Sequence, residues 1–310
     1  MLFRSWVSPR VLKAFAYPTY VIALLGLAAV LVTGQGSSEY GAQRWVEVAG
    51  FPLQPSEPSK VALIIVLARL LSTDEPPLKQ LLTSGVLTLP LAVLIYLQPD
   101  LATALSLMAI WFGMILLSGM RARYILAVTG LTLLTVPVAW IGLKDYMRDR
   151  ILIFLNPQAD PLGQGYNILQ AQISIGSGGL WGKGLFEGTQ TQLRYLRVSH
   201  SDFIFSVLGE ELGFVGAVAL FSLFLLLLFR LLHAYDLAED RFCGLVCGGV
   251  ASVVAFQALA NLGANVGLTP VAGIPLPFVS YGGSALVSQF VALGLVQATL
   301  VRRRLYRFEP

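Results

Sequence analysis

Asp100 interrupts an otherwise hydrocarbon stretch. In "LIYLQPDLATAL" (94–105), Gln98, Pro99 and Asp100 stand in a row between apolar residues. A carboxylate beside a membrane-type segment is costly, and ionisable residues at that depth mark function by default. Two readings are open. Pro99-Asp100 ahead of "LATALSL" suits helix initiation, with the carboxylate accepting helix amides. The same carboxylate, partly buried at a water boundary, is placed for general-base work. A cap can also be a base, so the two are compatible.

Other polar residues gather in a few places. "GAQRW" and "QPSEPSK" (41–45 and 54–60) bring Arg44, Glu57 and Lys60 to one loop. Glu57 and Lys60 are three apart and share a helix face if a helix begins there. They read either as a solvated interfacial pair or as cationic chemistry for a phosphate, with Glu57 orienting Lys60. The Gly-rich stretch 160–193 lacks the strand and the Lys-Ser/Thr ending of a nucleotide P-loop, which excludes ATP binding. Its Gly176, Gly178 and Gly179 suit tight loop packing, or a close backbone approach to phosphate oxygens. Arg194 and Arg197 follow them.

"SHSDFIFSVLGEELGFVGA" (199–217) sets His200, Ser201 and Asp202 at the start of an apolar segment, with Glu210 and Glu211 inside it. Ser201 or Asp202 suits a cap, while the paired acids must face protein or water. Ser, His and Asp adjacent in sequence do not make a nucleophilic triad, which is defined by spatial geometry. Two histidines are too few for a metal cluster. Cys243 and Cys247, four apart on one helix, read as buried thiols because a disulfide along a helix face has poor geometry.

The elements that must position these groups are membrane spans. The 310 residues are 56% hydrophobic and 12% charged, about half the charge of a soluble domain. Mean hydropathy is +0.73. The apolar runs are continuous and long enough for spanning helices, which excludes the alternation of barrel strands. Eight spans are predicted, near 14–33, 59–73, 80–97, 101–119, 124–143, 203–232, 243–267 and 284–301. The net charge of +4 does not signal nucleic acid, because much of the excess sits at span ends. Arg4, Arg10 and Lys13, then Arg121 and Arg123, then Arg302, Arg303, Arg304 and Arg307 fall on one side, cytoplasmic by the positive-inside rule. Both termini are then inside. The segments 36–57, 98–100, 144–202 and 267–283 face outward with most of the polar chemistry. A loop as long as 144–202 is expected to be functional or separately folded.

These stretches resemble one family. "GAQRW", "QPSE..K", "QPDLATAL", "GYNILQAQISIGSGG", "HSDFIFSVLGEELG" and "GIPLPFVSYGGS" look like the signature segments, in order, of the shape, elongation, division and sporulation family. "GAQRW" and "GKGLFEGTQTQL" lean toward its rod-shape branch. The resemblance implies a ten-span inner-membrane polymerase that joins lipid II through β-1,4 bonds and partners a class B penicillin-binding transpeptidase and other elongation-complex membrane proteins. It implies an essential carboxylate at Asp100, roles for Glu57 and Lys60, and a role for the long loop with His200 and Asp202. The chain departs from the family in Ala102, Pro58 and "LRVSH" (196–200). It also looks short by two N-terminal spans, within a single membrane domain over 1–310.

The expected chemistry is an inverting displacement with Asp100 as base. Lys60 and Arg44, with Arg194, Arg197 or a divalent cation, would meet the charge of the leaving diphosphate. Two rivals are a lipid II flippase, which broken helices and mid-depth charges would favour, and an inactive scaffold for a transpeptidase.

Overall fold

The computed structural model describes residues 8–33, 44–48, 50–161, 163–193, 195–196 and 200–306. Arg4, Arg194, Arg197 and Arg307, which the sequence reading uses, lie outside them. Helices dominate. Each of the eight expected spans falls on one: α1 (Pro9–Thr33), α2 (Ser56–Leu71), α3 (Pro77–Leu97), α4 (Leu101–Leu117), α5 (Ala122–Gly142), α9 (Ile204–Asp236), α10 (Arg241–Asn265) and α11 (Gly283–Tyr306). Three more helices, α6 (Asp145–Leu155), α7 (Gln164–Ser177) and α8 (Thr189–Gln192), lie in the long loop. A short antiparallel hairpin pairs β1 (Val46–Val48) with β2 (Phe51–Leu53), Val46 opposite Leu53. By length and apolarity α1, α3, α9, α10 and α11 can cross a bilayer, while α4 and the first part of α5 are shorter apolar helices. The chain is an all-α polytopic membrane protein.

Backbone contacts divide the chain into two compact units. The first comprises Met1–Gly130, Leu228–Ala255 and Gly283–Pro310. Its centre is α2, whose Leu63, Ile64, Val66, Leu67 and Leu71 are almost wholly buried. Helices α1, α3, α4 and α11 pack around it. The first part of α10 reaches the same core because its small residues let backbones approach. A methyl placed on Gly249 would stand 2.7 Å from Ile64 Cγ2 and 3.0 Å from Met114 Sδ, and one on Gly113 would collide with Ser252 Oγ. By contrast α1 leaves Phe15, Ile22 and Leu25 exposed, as a lipid-facing stripe requires. Asp240 caps α10 through the Cys243 amide (2.8 Å) and pairs with Lys13 (2.7 Å).

The second unit comprises Leu131–Leu227 and Phe256–Gly282. Here α9 is broken at Gly213 (φ 64°, ψ −162°), a conformation open to glycine. The break frees backbone groups, and the loop after α7 satisfies them. Lys183 N and Gly184 N donate to Glu210 O and Glu211 O at 3.0 Å each, and Phe214 N and Val215 N donate to Gly179 O (2.9 Å) and Leu180 O (3.1 Å). A broken helix at membrane depth is tolerated where protein covers it in this way.

Candidate functional site

The Gln98–Asp100 turn is held from three directions within the first unit. Gln98 Nε2 donates to Leu27 O at 2.9 Å, tying the turn to α1. Arg44 Nε donates to Gln98 O at 3.3 Å and Nη2 to Pro99 O, while Nη1 stands 3.9 Å from Asp100 Oδ2. Asp100 itself is the N-cap of α4: Oδ1 accepts Thr103 N at 3.2 Å and Oδ2 accepts Thr103 Oγ1 at 2.9 Å. The residue is 6% exposed. The capping geometry is therefore present, and its cost is that both oxygens face inward to the helix and to Arg44.

Glu57 and Lys60 form a buried ion pair, not a solvated one. Their side chains are 4% and 6% exposed and meet at 2.7 Å. Pro55 at the N-cap of α2 offers no side chain to the helix amides, so the acidic residue in the first turn faces the positive end of the helix dipole. Ser56 Oγ and Glu57 Oε2 make no hydrogen bond among the described residues. Lys60 Nζ gives one of its three N–H donors to Glu57 Oε1.

In the second unit, the three glycines separate into different roles. Gly178 N donates to Ile175 O at the end of α7, and a methyl on Gly178 would collide with Gly209 O in α9. Close packing on α9 therefore requires a glycine there. Gly176 and Gly179 face open space, and Gly179 adopts φ 57°. The acid that resisted a bland explanation, Glu210, is fully buried and paired with Lys183 at 2.8 Å. Its Oε1 also accepts Thr189 Oγ1 (3.1 Å) and Gln190 N (3.1 Å), so it locks the loop onto the broken helix.

The Asp202 backbone is held by two side-chain amides. Its carbonyl oxygen accepts Asn265 Nδ2 at 2.9 Å and Asn261 Nδ2 at 3.1 Å. The neighbouring carbonyls are also held: Ser201 O accepts Ser280 Oγ (2.6 Å), and His200 O accepts Tyr281 N (3.0 Å). The start of α9 is also held from across space. The third amide of α9, Ser206 N, donates to Asn265 Oδ1 at 3.1 Å, alongside Ser206 Oγ at 2.6 Å. The Asp202 side chain, half-buried, accepts Ser201 Oγ at 3.2 Å. His200 is exposed, with its ring edge-on to Tyr281.

Sequence reasoning missed Asn261, Asn265 and Arg150. A methyl on Gly273, which adopts φ 72°, would stand 3.8 Å from Asp202 Oδ2 and 4.0 Å from Arg150 Nη1, so carboxylate and guanidinium flank one glycine. Arg150 Nε is buried and makes no hydrogen bond among the described residues. The available signal was weak: two amides four apart in "NLGAN" (261–265), and one arginine among several in "YMRDR". Among the described residues no group of three or more His, Cys, Asp or Glu converges as a metal site.

Fold and site together define a polytopic membrane protein whose polar chemistry rests on carboxylates and guanidinium groups. A family model described as "Cell cycle protein", covering FtsW, RodA and SpoVE, matches residues 1–305. The chain belongs to this family, the shape, elongation, division and sporulation proteins. It is 39% identical over 308 residues to the peptidoglycan glycosyltransferase MrdB of Escherichia coli K12, covering 98% of this chain and 83% of that one. It is 37% identical over 301 residues to the probable peptidoglycan glycosyltransferase FtsW of Geobacter metallireducens, covering 95% and 77%. The rod shape determining protein RodA of Thermus thermophilus superposes with a TM-score of 0.69 at 33% identity, over 98% of this chain and 82% of that one. A chain of a peptidoglycan synthase complex that coordinates polymerization and crosslinking superposes with a TM-score of 0.82 at 36% identity, over 100% and 86%.

Proposed function

We propose that this chain is a peptidoglycan polymerase that joins lipid II units by inverting glycosyl transfer during cell-wall elongation. Family membership and relatives named as peptidoglycan glycosyltransferases support the reading. In the reaction, the acceptor 4-hydroxyl gives its proton to a carboxylate base. Its oxygen attacks the anomeric carbon, and the lipid diphosphate departs with the electrons of the broken C–O bond.

Two carboxylates compete for the role of base, and the geometry favours Asp202 over Asp100. A base must offer a lone pair to the substrate hydroxyl. Asp100 directs its oxygens to Thr103 and Arg44 and is 6% exposed. Asp202 is half-buried, more open than Asp100, on a backbone fixed by Asn265 and Asn261, the observation that carries the assignment. Arg150, across Gly273, is the cation for the developing diphosphate charge; electrostatic stabilisation of that kind is often the largest single contribution. Arg44, Glu57 and Lys60 then act by holding the Gln98–Asp100 turn and the start of α2.

The distribution of Lys and Arg supports cytoplasmic termini and outward-facing chemistry. The complex that coordinates polymerization and crosslinking supports a crosslinking partner, for which a class B transpeptidase has the matching chemistry. One observation favours the flippase: α9 is broken, with charges beside the break. The break is nevertheless closed by backbone hydrogen bonds and its Glu210 is paired, which suits a fixed scaffold.

The test supplies lipid II to the purified chain, with and without a co-expressed penicillin-binding partner, and resolves glycan strands on a gel. Polymer is expected. Transport of lipid II across vesicles without polymer would transfer the assignment to the flippase.

A further inference from the structure

We infer that Asn265 is a positioning residue for the polymerisation, acting through Asp202; the inference rests on the reading of Asp202 as the base. Asn265 is completely buried near the end of α10. Its amide works in two directions at once. Oδ1 accepts Ser206 N (3.1 Å) and Ser206 Oγ (2.6 Å) at the start of α9, and Nδ2 donates to Asp202 O (2.9 Å) and Asn261 O (2.9 Å). The Ser206 amide can only donate, so it fixes which end of the Asn265 side chain is oxygen. Asn261 reinforces the grip, donating to Asp202 O at 3.1 Å and to Ile274 O at 2.8 Å.

A carboxylate just before a helix normally turns back to the first free amides. Asp100 does so at α4. At α9 the third amide donates to Asn265 Oδ1 as well as to Phe203 O, and the same Asn265 side chain holds the Asp202 peptide. A neutral amide accomplishes both tasks without adding a charge beside the base. An acid in the same place would set a lone pair against the Asp202 carbonyl, and an aliphatic residue would take one of two donors from Asp202 O and the acceptor from Ser206 Oγ.

The experiment uses Asn265→Asp, which keeps the acceptor for Ser206 and removes the donor to Asp202, in the full chain with its penicillin-binding partner. Because a displacement of about 1 Å at a reacting group costs on the order of 100-fold, kcat is expected to fall about 10–100-fold. The KM for lipid II should stay within about threefold, the pattern of an interaction needed in the transition state. Wild-type kcat in Asn265→Asp, with Asp202→Asn inactive, would overturn the inference and leave the base in place. Wild-type turnover in Asp202→Asn would remove the base assignment itself. Should Asn265→Asp fail to fold, Asn261→Ala withdraws the other donor; a loss of about tenfold in kcat is expected, and unchanged kcat would count against the inference.

Discussion

One threonine takes up both oxygens of Asp100: Oδ1 accepts the Thr103 amide at 3.2 Å and Oδ2 its hydroxyl at 2.9 Å. The pair is local and buried. Thr103→Val should therefore cost about 1 kcal/mol of stability, the net worth of a typical hydrogen bond, while polymerisation per folded molecule is unchanged. Thermal unfolding in detergent beside a lipid II assay separates the two. A large loss of turnover at wild-type stability would show that Asp100 is tuned for chemistry.

The Glu57–Lys60 pair gives a second prediction. Lys60→Met leaves a carboxylate buried and unpaired, which costs about 3–5 kcal/mol. The double substitution Glu57→Leu, Lys60→Met should recover most of that stability, because a buried pair replaced by apolar residues of similar size is often neutral. If the double variant folds and polymerises, the pair is structural. Recovery of the fold without activity would return Lys60 to the substrate.

The glycines of the α7–α9 contact make a third. Gly178→Ala drives a methyl into Gly209 O, and overpacking of this kind costs about 1–3 kcal/mol. Gly176→Ala, inside α7 and facing open space, should stabilise by roughly 0.5–1 kcal/mol on helix propensity. Equal loss of activity in two well-folded variants would favour backbone contacts to phosphate instead.

Asp240 carries a pH signature. Burial pushes its carboxyl up, but hydrogen bonds from Cys243 and Lys13 outweigh that, and the carboxyl lies below its ordinary value. A group depressed in the folded state contributes stability above its unfolded value, about 3.9 for Asp, and loses it as pH falls through the folded value. The stability gap between wild type and Asp240→Asn should be flat from about pH 5 to 8 and close below about pH 4. A gap that widens in acid would contradict this sign.

Hydrophobic runs made the spanning helices legible, because continuous apolar stretches have few other uses. The cap at Asp100 was legible too, since Pro-Asp before a helical run is a local signal. Glu57–Lys60 was legible as a pair but not as a buried one: spacing fixes a shared face, while burial depends on α1, α3, α4 and α11 closing around α2. Arg44 was read as a phosphate ligand because its partners, the carbonyls of Gln98 and Pro99, lie over fifty residues away. The Asn265 clamp was invisible for the same reason, joining residues 63 and 59 positions apart. Glu210 was legible as an acid that must face protein or water, and only the fold supplied its partner Lys183.

Asp202, its peptide held by Asn265 and Asn261, is the proposed base. The most direct measurement compares lipid II polymerisation by wild type, Asp202→Asn and Asp100→Asn, each confirmed folded and able to bind lipid II. The account predicts no glycan strands from Asp202→Asn and retained polymer, with lower stability, from Asp100→Asn. Polymer from Asp202→Asn together with none from Asp100→Asn would contradict it and place the base at the start of α4.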